Sequence, residues 1–200
     1  MEVIPFLNEE ECNSIIYEIE KNSLNLLIGN SFGSYKHAAK EIDIKDLSNS
    51  IVKNKIIIKS SELSKKIKSK VNTINFVKYE PDNVNHMKLH YDWSKYTLIV
   101  NLNNNYEGGY TGFPLKDYYF NVSEHGIGKG ILFNSMNFMS YHCGMKTKKN
   151  NRYVLVITFK NNKNFILRYL WKLPYLFFRD ILFGSIILDF YFHKIKKFKY

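Results

Sequence analysis

Cysteine and proline are scarce in this 200-residue chain, with two of the first and four of the second. Two thiols, Cys12 and Cys143, cannot make the disulfide framework of a small secreted domain. Cys12 falls on an apolar helix face and reads as a small core residue. No run reaches about 18 apolar residues, so none has the form of a membrane-spanning helix. The opening residues, Met1-Glu2 and soon Glu9-Glu10-Glu11, show neither the basic nor the apolar segment of a secretory signal. A reducing, cytoplasmic setting is therefore expected, and Asn121-Val122-Ser123 carries no glycosylation meaning in it. Acidic residues are also missing from the last quarter. Residues 146–200 hold 13 Lys and Arg against only Asp180 and Asp189, whereas residues 1–145 balance 16 Lys with 16 acidic side chains. The formal charge of +11 thus belongs to the C-terminal quarter. A neutral remainder argues against a nucleic-acid base as its target.

What is present fits one domain with a sizeable core. Hydrophobic residues make up 45% and aromatics 16%, which excludes general disorder. Asn8 can cap a helix over about 9–21, with glutamates in its first turn and Cys12, Ile15, Ile16 and Ile19 on one stripe. Residues 22–60 are less legible: Ser31-Phe32-Gly33-Ser34 reads as a turn, and Ile42, Ile44, Leu47 and Ile51 mix periodicities. Ser61 is expected to cap a short lysine-rich helix with Leu63 and Ile67 inside. From Thr73 the texture becomes β. Strands are expected at Ile74–Tyr79, around His90, and at Tyr96–Asn103, Tyr118–Val122, Gly130–Phe133, Phe138–His142 and Arg152–Phe159. Gly126 to Gly130 reads as a hairpin turn, since it lacks the spacing of a phosphate loop. Many short strands without interposed helices suggest a barrel or sandwich.

The chemistry concentrates in Leu89-His90-Tyr91-Asp92. On a strand, residues two apart face the same way, so His90 and Asp92 would project together. His142 would complete a set of two histidines and one carboxylate, which leaves open positions on a metal and suits non-haem Fe(II). An isolated H-x-D is common, and a surface His beside a turn Asp is the plainer alternative. His86 sits in no such motif, and His37, His125 and His193 read as ordinary surface or tail histidines. Ten residues beyond His142, Arg152 opens the apolar run Tyr153 to Ile157, where a fixed fork of donors can grip a carboxylate.

The surrounding segments occur in a telling order: Phe76-Val77-Lys78-Tyr79, His90-Tyr91-Asp92, Thr97 to Asn103, Glu107-Gly108-Gly109-Tyr110-Thr111-Gly112-Phe113-Pro114, Gly130-Ile131-Leu132-Phe133, His142, and Arg152-Tyr153. Together with the opening Ile4-Pro5-Phe6-Leu7 to Cys12, this order resembles the catalytic domain of prolyl 4-hydroxylase-like Fe(II)/2-oxoglutarate dioxygenases, over roughly residues 3–160. The resemblance implies a mainly β fold with flanking helices, a double-stranded β-helix (jelly roll). It implies Fe(II) on His90, Asp92 and His142, with 2-oxoglutarate held through its far carboxylate by Arg152, Thr111 and Tyr79. Dioxygen would be the oxidant, and ascorbate an accessory reductant. A peptidyl proline is the family-weighted substrate, with a free amino acid, a glycan or a lipid behind it, and a non-catalytic jelly-roll binding module as the other class. The chain departs from the family at Tyr110, Lys146-Thr147 and Asn150, none of them a proposed ligand. Asparagine tolerates the left-handed backbone of a tight turn.

These readings divide the chain into a dioxygenase domain over 1–160, with a helical lead-in over 1–72 and a jelly-roll core over 73–160, and a basic, aromatic-rich helical tail over 161–200. In the tail, Arg168, Lys172 and Arg179 form a narrow basic stripe on apolar helices, with Pro174 between them. Residues 165–200 are expected to pack on the barrel or form a homodimer. The alternative is a peripheral contact with an anionic membrane surface.

Overall fold

The helix expected from the Cys12, Ile15 and Ile19 stripe is present. A computed structural model describes residues 1–21, 27–30, 36–82, 86–92 and 94–161, and in it α1 spans Glu9–Lys21. Asn8 and Glu11 close a reciprocal cap: Glu11 N donates to Asn8 Oδ1 at 2.8 Å and Asn8 N donates to Glu11 Oε2 at 2.9 Å. Cys12, Ile15 and Ile19 are fully buried.

The lysine-rich helix differs from expectation. It runs Ser50–Lys66 (α2), and its cap is Asn49, whose Oδ1 accepts from the amides of Ile51 and Val52. Its buried positions are Val52, Ile56, Ser60 and Leu63. The stripe was masked because a serine occupies a core position; Ser60 Oγ donates to the Ile56 carbonyl at 2.6 Å and so loses its need for water.

Before α2 come β1 (Glu2–Pro5), β2 (Leu27–Asn30) and β3 (Lys36–Asp43); after it come β4 (Ser69–Tyr79), β5 (Met87–His90) and β6 (Tyr96–Asn101). The remaining strands are β7 (Glu107–Gly108), β8 (Thr111–Phe113), β9 (Tyr118–Phe120), β10 (Lys129–Asn134), β11 (His142–Gly144), β12 (Thr147–Lys149) and β13 (Arg152–Asn161). They form an antiparallel seven-stranded sheet in the order β1-β10-β6-β13-β4-β3-β2 and a four-stranded sheet in the order β5-β11-β8-β9. A two-stranded ribbon, β12-β7, completes the set.

Alternation along the large sheet's strands feeds two cores. Phe76, Val100 and Leu155 point to α1 and α2, whereas Val77, Ile99 and Val154 point into the space shared with the small sheet, against Phe113, Phe120 and Phe133. This is the expected jelly roll, two β walls with helices buttressing one side.

Local hydrogen bonds shorten two expected strands. Asn121 Oδ1 accepts from Glu124 N, so β9 stops at Phe120 and a turn of helix, α3 (Val122–His125), follows. Phe138–Ser140 is a 3-10 turn held by the Asn137 side chain, and strand begins only at His142. Asn150 adopts the left-handed backbone anticipated for it, at φ 58°. No helix among the described residues is long and apolar enough to cross a membrane. The turn at 31–34, His37, His193 and the tail after Asn161 lie outside the residues, or side chains, that are described.

Candidate active site

Pairing of β5 with β11 sets His90 opposite His142, with ring centroids 4.4 Å apart. Asp92 lies just beyond the end of β5, not on it, so strand alternation alone does not aim it. Thr97 on β6 does: its hydroxyl donates to Asp92 Oδ2 at 2.6 Å. Behind it, Thr97 and Ser135 hydroxyls lie 2.7 Å apart and Ser94 completes a buried cluster. Asp92 consequently reaches both rings, with Oδ1 3.4 Å from His90 Nε2 and Oδ2 3.6 Å from His142 Nε2. One ligand atom from each of the three falls within 4.8 Å of the others.

The protonation pattern suits a cation. His142 Nδ1 lies 2.9 Å from the Ser140 carbonyl, which can only accept, so the proton sits on Nδ1 and the Nε2 lone pair faces Asp92. Burial pushes His142 down to about 4, against the opposing pull of Asp92. Burial works against ionised Asp92 as well, but the charge of His142 and the hydrogen bond from His90 outweigh it and hold the carboxyl well below its usual range. Two imidazole nitrogens and one carboxylate are the donor set of a first-row divalent ion with open positions.

Beside this cluster is a buried cation that has no counter-charge among the described residues. Arg152 begins β13 and is 1% exposed. Its Nη2 donates to Thr111 Oγ1 at 2.9 Å, and its guanidinium lies over the rings of Tyr79 and Tyr106 at 5.1 and 5.9 Å. Among the described residues, Nε and Nη1 have no partner, and neither do Asn101 Nδ2, Tyr106 Oη or Thr147 Oγ1. Orphaned polar atoms at that density are rare in protein interiors and signal a missing polar ligand. Glycines make the room: a side chain on Gly144 would collide with the Tyr79 hydroxyl, and one on Gly109 would meet Arg152 Cδ at 2.9 Å. Tyr79, pushed up to about 12 by burial against the pull of Arg152, stays a neutral hydroxyl donor.

All six residues singled out in the sequence therefore converge. His90, Asp92 and His142 line a cavity of about 230 Å³ together with Tyr79 and Thr111, and Arg152 bonds to Thr111 from behind. The sequence reading missed Thr97, Asn101, Tyr106, Thr147 and Glu41. Thr97 and Asn101 carried a signal, because they share a β6 face with Ile99 and are polar where an apolar face was expected. His125 lies apart, stacked on Phe120 at 5.0 Å.

No protein-family model and no curated protein matches the chain. Solved structures do. A collagen prolyl hydroxylase of Paramecium bursaria Chlorella virus-1, in its 2-oxoglutarate complex, matches with a TM-score of 0.61 at 19% identity, over 80% of this chain and 95% of that one. A prolyl-4-hydroxylase of Pseudomonas putida gives 0.58 at 13% identity, over 81% and 92%. A Trichoplax adhaerens prolyl hydroxylase, in complex with a hypoxia inducible factor peptide fragment, gives 0.61 at 13%, over 83% and 86%. The chain has the prolyl hydroxylase fold. In this prolyl hydroxylase fold the histidines come from the small sheet and Arg152 from the large one, so the cavity lies between the two walls.

Proposed function

We propose that the chain is an Fe(II)- and 2-oxoglutarate-dependent dioxygenase that hydroxylates a C–H bond, with a peptide as substrate. The observation that carries this reading is the orphaned Arg152 guanidinium beside the His90, Asp92 and His142 cluster in one cavity, because a metal and a dicarboxylate together satisfy both. His90 Nε2, Asp92 and His142 Nε2 would hold Fe(II); Arg152 and the hydroxyls of Thr111 and Tyr79 would take the far carboxylate of 2-oxoglutarate. With dioxygen, the bound pair supplies the oxidising power to insert one oxygen atom into a C–H bond, 2-oxoglutarate leaving as succinate and carbon dioxide.

The protein's own work is positional. Thr97 fixes the Asp92 carboxylate, and the Ser140 carbonyl fixes the His142 ring. Phe113 and Phe133 pack on that ring at 5.5 and 5.0 Å and keep water from its back. Arg152, already dehydrated, binds an anion without first losing a hydration shell of its own.

The matched Trichoplax enzyme is held with a peptide, which supports the substrate class here. The same proposal confines the reaction to residues 1–160 and treats 161–200 as an appendage, which contacts the barrel, a second copy or a membrane surface. A cytoplasmic setting belongs to it as well, in keeping with the free, buried thiols of Cys12 and Cys143.

Succinate release from 2-oxoglutarate with Fe(II), over a panel of peptides, tests the reading. His90→Ala, Asp92→Ala and His142→Ala are each expected to abolish release while leaving the circular dichroism spectrum unchanged. Wild-type turnover in any of the three overturns the ligand assignment.

A further inference from the structure

Among the described residues, Glu41 is the one charged side chain of the cavity that the proposed chemistry does not use. It sits on β3 opposite Val77 of β4, and Val77 is in turn opposite Val154 of β13. Cross-strand partners share a face, so Glu41 points into the chamber while its neighbour Ile42 enters the helix-side core. Burial raises the Glu41 carboxyl above the ordinary carboxylate value; His90 opposes that rise and Asp92 adds to it. Among the described residues, no hydrogen bond or ion pair takes it up. Thr73, Asn75 and Thr158 are polar members of the chamber wall, and no Lys or Arg among the described residues lines the cavity. Lys78, next to Val77, points the other way and is bound to Glu20 and Glu80 at 2.8 and 3.1 Å.

Charge complementarity says what such a wall receives. In the loaded site of the reading above, the two positive charges of Fe(II) and the one of Arg152 are matched by Asp92 and the two carboxylates of 2-oxoglutarate. Glu41 is left over. A half-enclosed carboxylate without a partner costs free energy that an incoming cation recovers. We infer that Glu41 is a substrate-docking residue that selects a cationic group, the ammonium or guanidinium of lysine or arginine, on the molecule to be oxidised. This rests on the dioxygenase reading and narrows it. The substrate is a basic peptide whose Lys or Arg lies at or beside the position hydroxylated, and a neutral Pro-containing sequence binds poorly.

The test is calorimetric and needs no turnover. The full chain is first titrated with Mn(II) and 2-oxoglutarate, then with capped alanine-based peptides carrying Pro beside Lys, norleucine or Glu, and with free lysine. The Lys peptide is expected to bind about tenfold or more tightly than its norleucine counterpart, as a charge-assisted hydrogen bond allows. Glu41→Gln should erase that ratio, and Glu41→Lys should transfer the preference to the Glu peptide. Free lysine binding as tightly as the peptide would make the source a free amino acid with the cationic selection intact. A chain that takes up neither Mn(II) nor 2-oxoglutarate overturns the dioxygenase reading and this one with it. One that takes up both, yet binds Lys and norleucine peptides equally, overturns this inference alone.

Discussion

Arg152 is a costly residue for the unliganded protein to keep. It is fully enclosed, and two of its nitrogens find no acceptor among the described residues; a buried charge so placed is a net loss unless something joins it. Replacing it should therefore separate stability from binding. Arg152→Met is expected to leave the empty protein as stable as wild type or more so, while 2-oxoglutarate affinity falls by about 100-fold and Mn(II) affinity barely moves. Chemical denaturation and calorimetric titration check the two halves. A large loss of stability with unchanged 2-oxoglutarate binding would make Arg152 a structural residue. His142 gives a second prediction at this scale. Its folded value, pushed down to about 4 by burial, lies below the ordinary 6.5. Above pH 6.5 neither state takes the proton; as pH falls from there towards 4 the unfolded chain binds it first, so stability drops across that window. Melting the chelator-treated protein between pH 7.5 and 4.5 should show the fall, and His142→Gln should flatten it.

Elements explain why one ligand is aimed from outside its own strand. β5 ends at His90, and Asp92 takes its orientation from β6 through Thr97. Removing that hydroxyl by Thr97→Val should lower Mn(II) affinity by about 10- to 100-fold, the usual effect of losing a group that orients a metal ligand. Thr97→Ser should restore most of it. Equal affinity for all three proteins would show that Asp92 needs no such support. This arrangement also marks the limit of what the sequence discloses. α1 was readable because Cys12, Ile15 and Ile19 keep an apolar stripe, with Glu18 as its one buried polar position, and because its cap is local, in Asn8 and Glu11. The start of α2 was not, because Ser60 breaks its stripe, and the turn at Phe138–Ser140 was not, because an asparagine side chain outweighs an apolar run. Among site residues, the six read from motif order have motif neighbours. Glu41, Tyr106 and Thr147 acquire their roles only through pairings between distant strands, as with Glu41 and Val77 or Thr147 and Gly108. Pairing of that kind leaves no local pattern in the chain.

At the scale of the whole molecule, the proposed ligands join two separate sheets. His90, His142 and Thr111 stand on the four-stranded wall, and Tyr79 and Arg152 on the seven-stranded one. Metal alone engages the small wall and the loop holding Asp92, whereas 2-oxoglutarate spans to the large wall, so the two should stabilise in sequence. A ligand at about 100 times its dissociation constant adds about 2.7 kcal/mol to a fold that binds it, worth about 5–11 °C in melting temperature for a chain of this size. Mn(II) should therefore raise the melting temperature, 2-oxoglutarate should raise it further only when Mn(II) is present, and Arg152→Met should lose the second step while keeping the first. The same measurement addresses the tail. Every proposed ligand precedes Tyr153, the cavity-lining positions end at Thr158, and among the described residues the last paired position is Asn161 against Ser69, so a chain ending at Asn161 is expected to show both steps at full size. If the shortened chain loses the 2-oxoglutarate step, residues 162–200 contribute to the pocket. If it keeps both steps but melts lower before any ligand is added, the tail's apolar side chains are buried against the barrel or a second copy. If its melting temperature is unchanged, those side chains are covered by something else, and co-sedimentation of the full chain with anionic vesicles at low and high salt then tests a lipid surface.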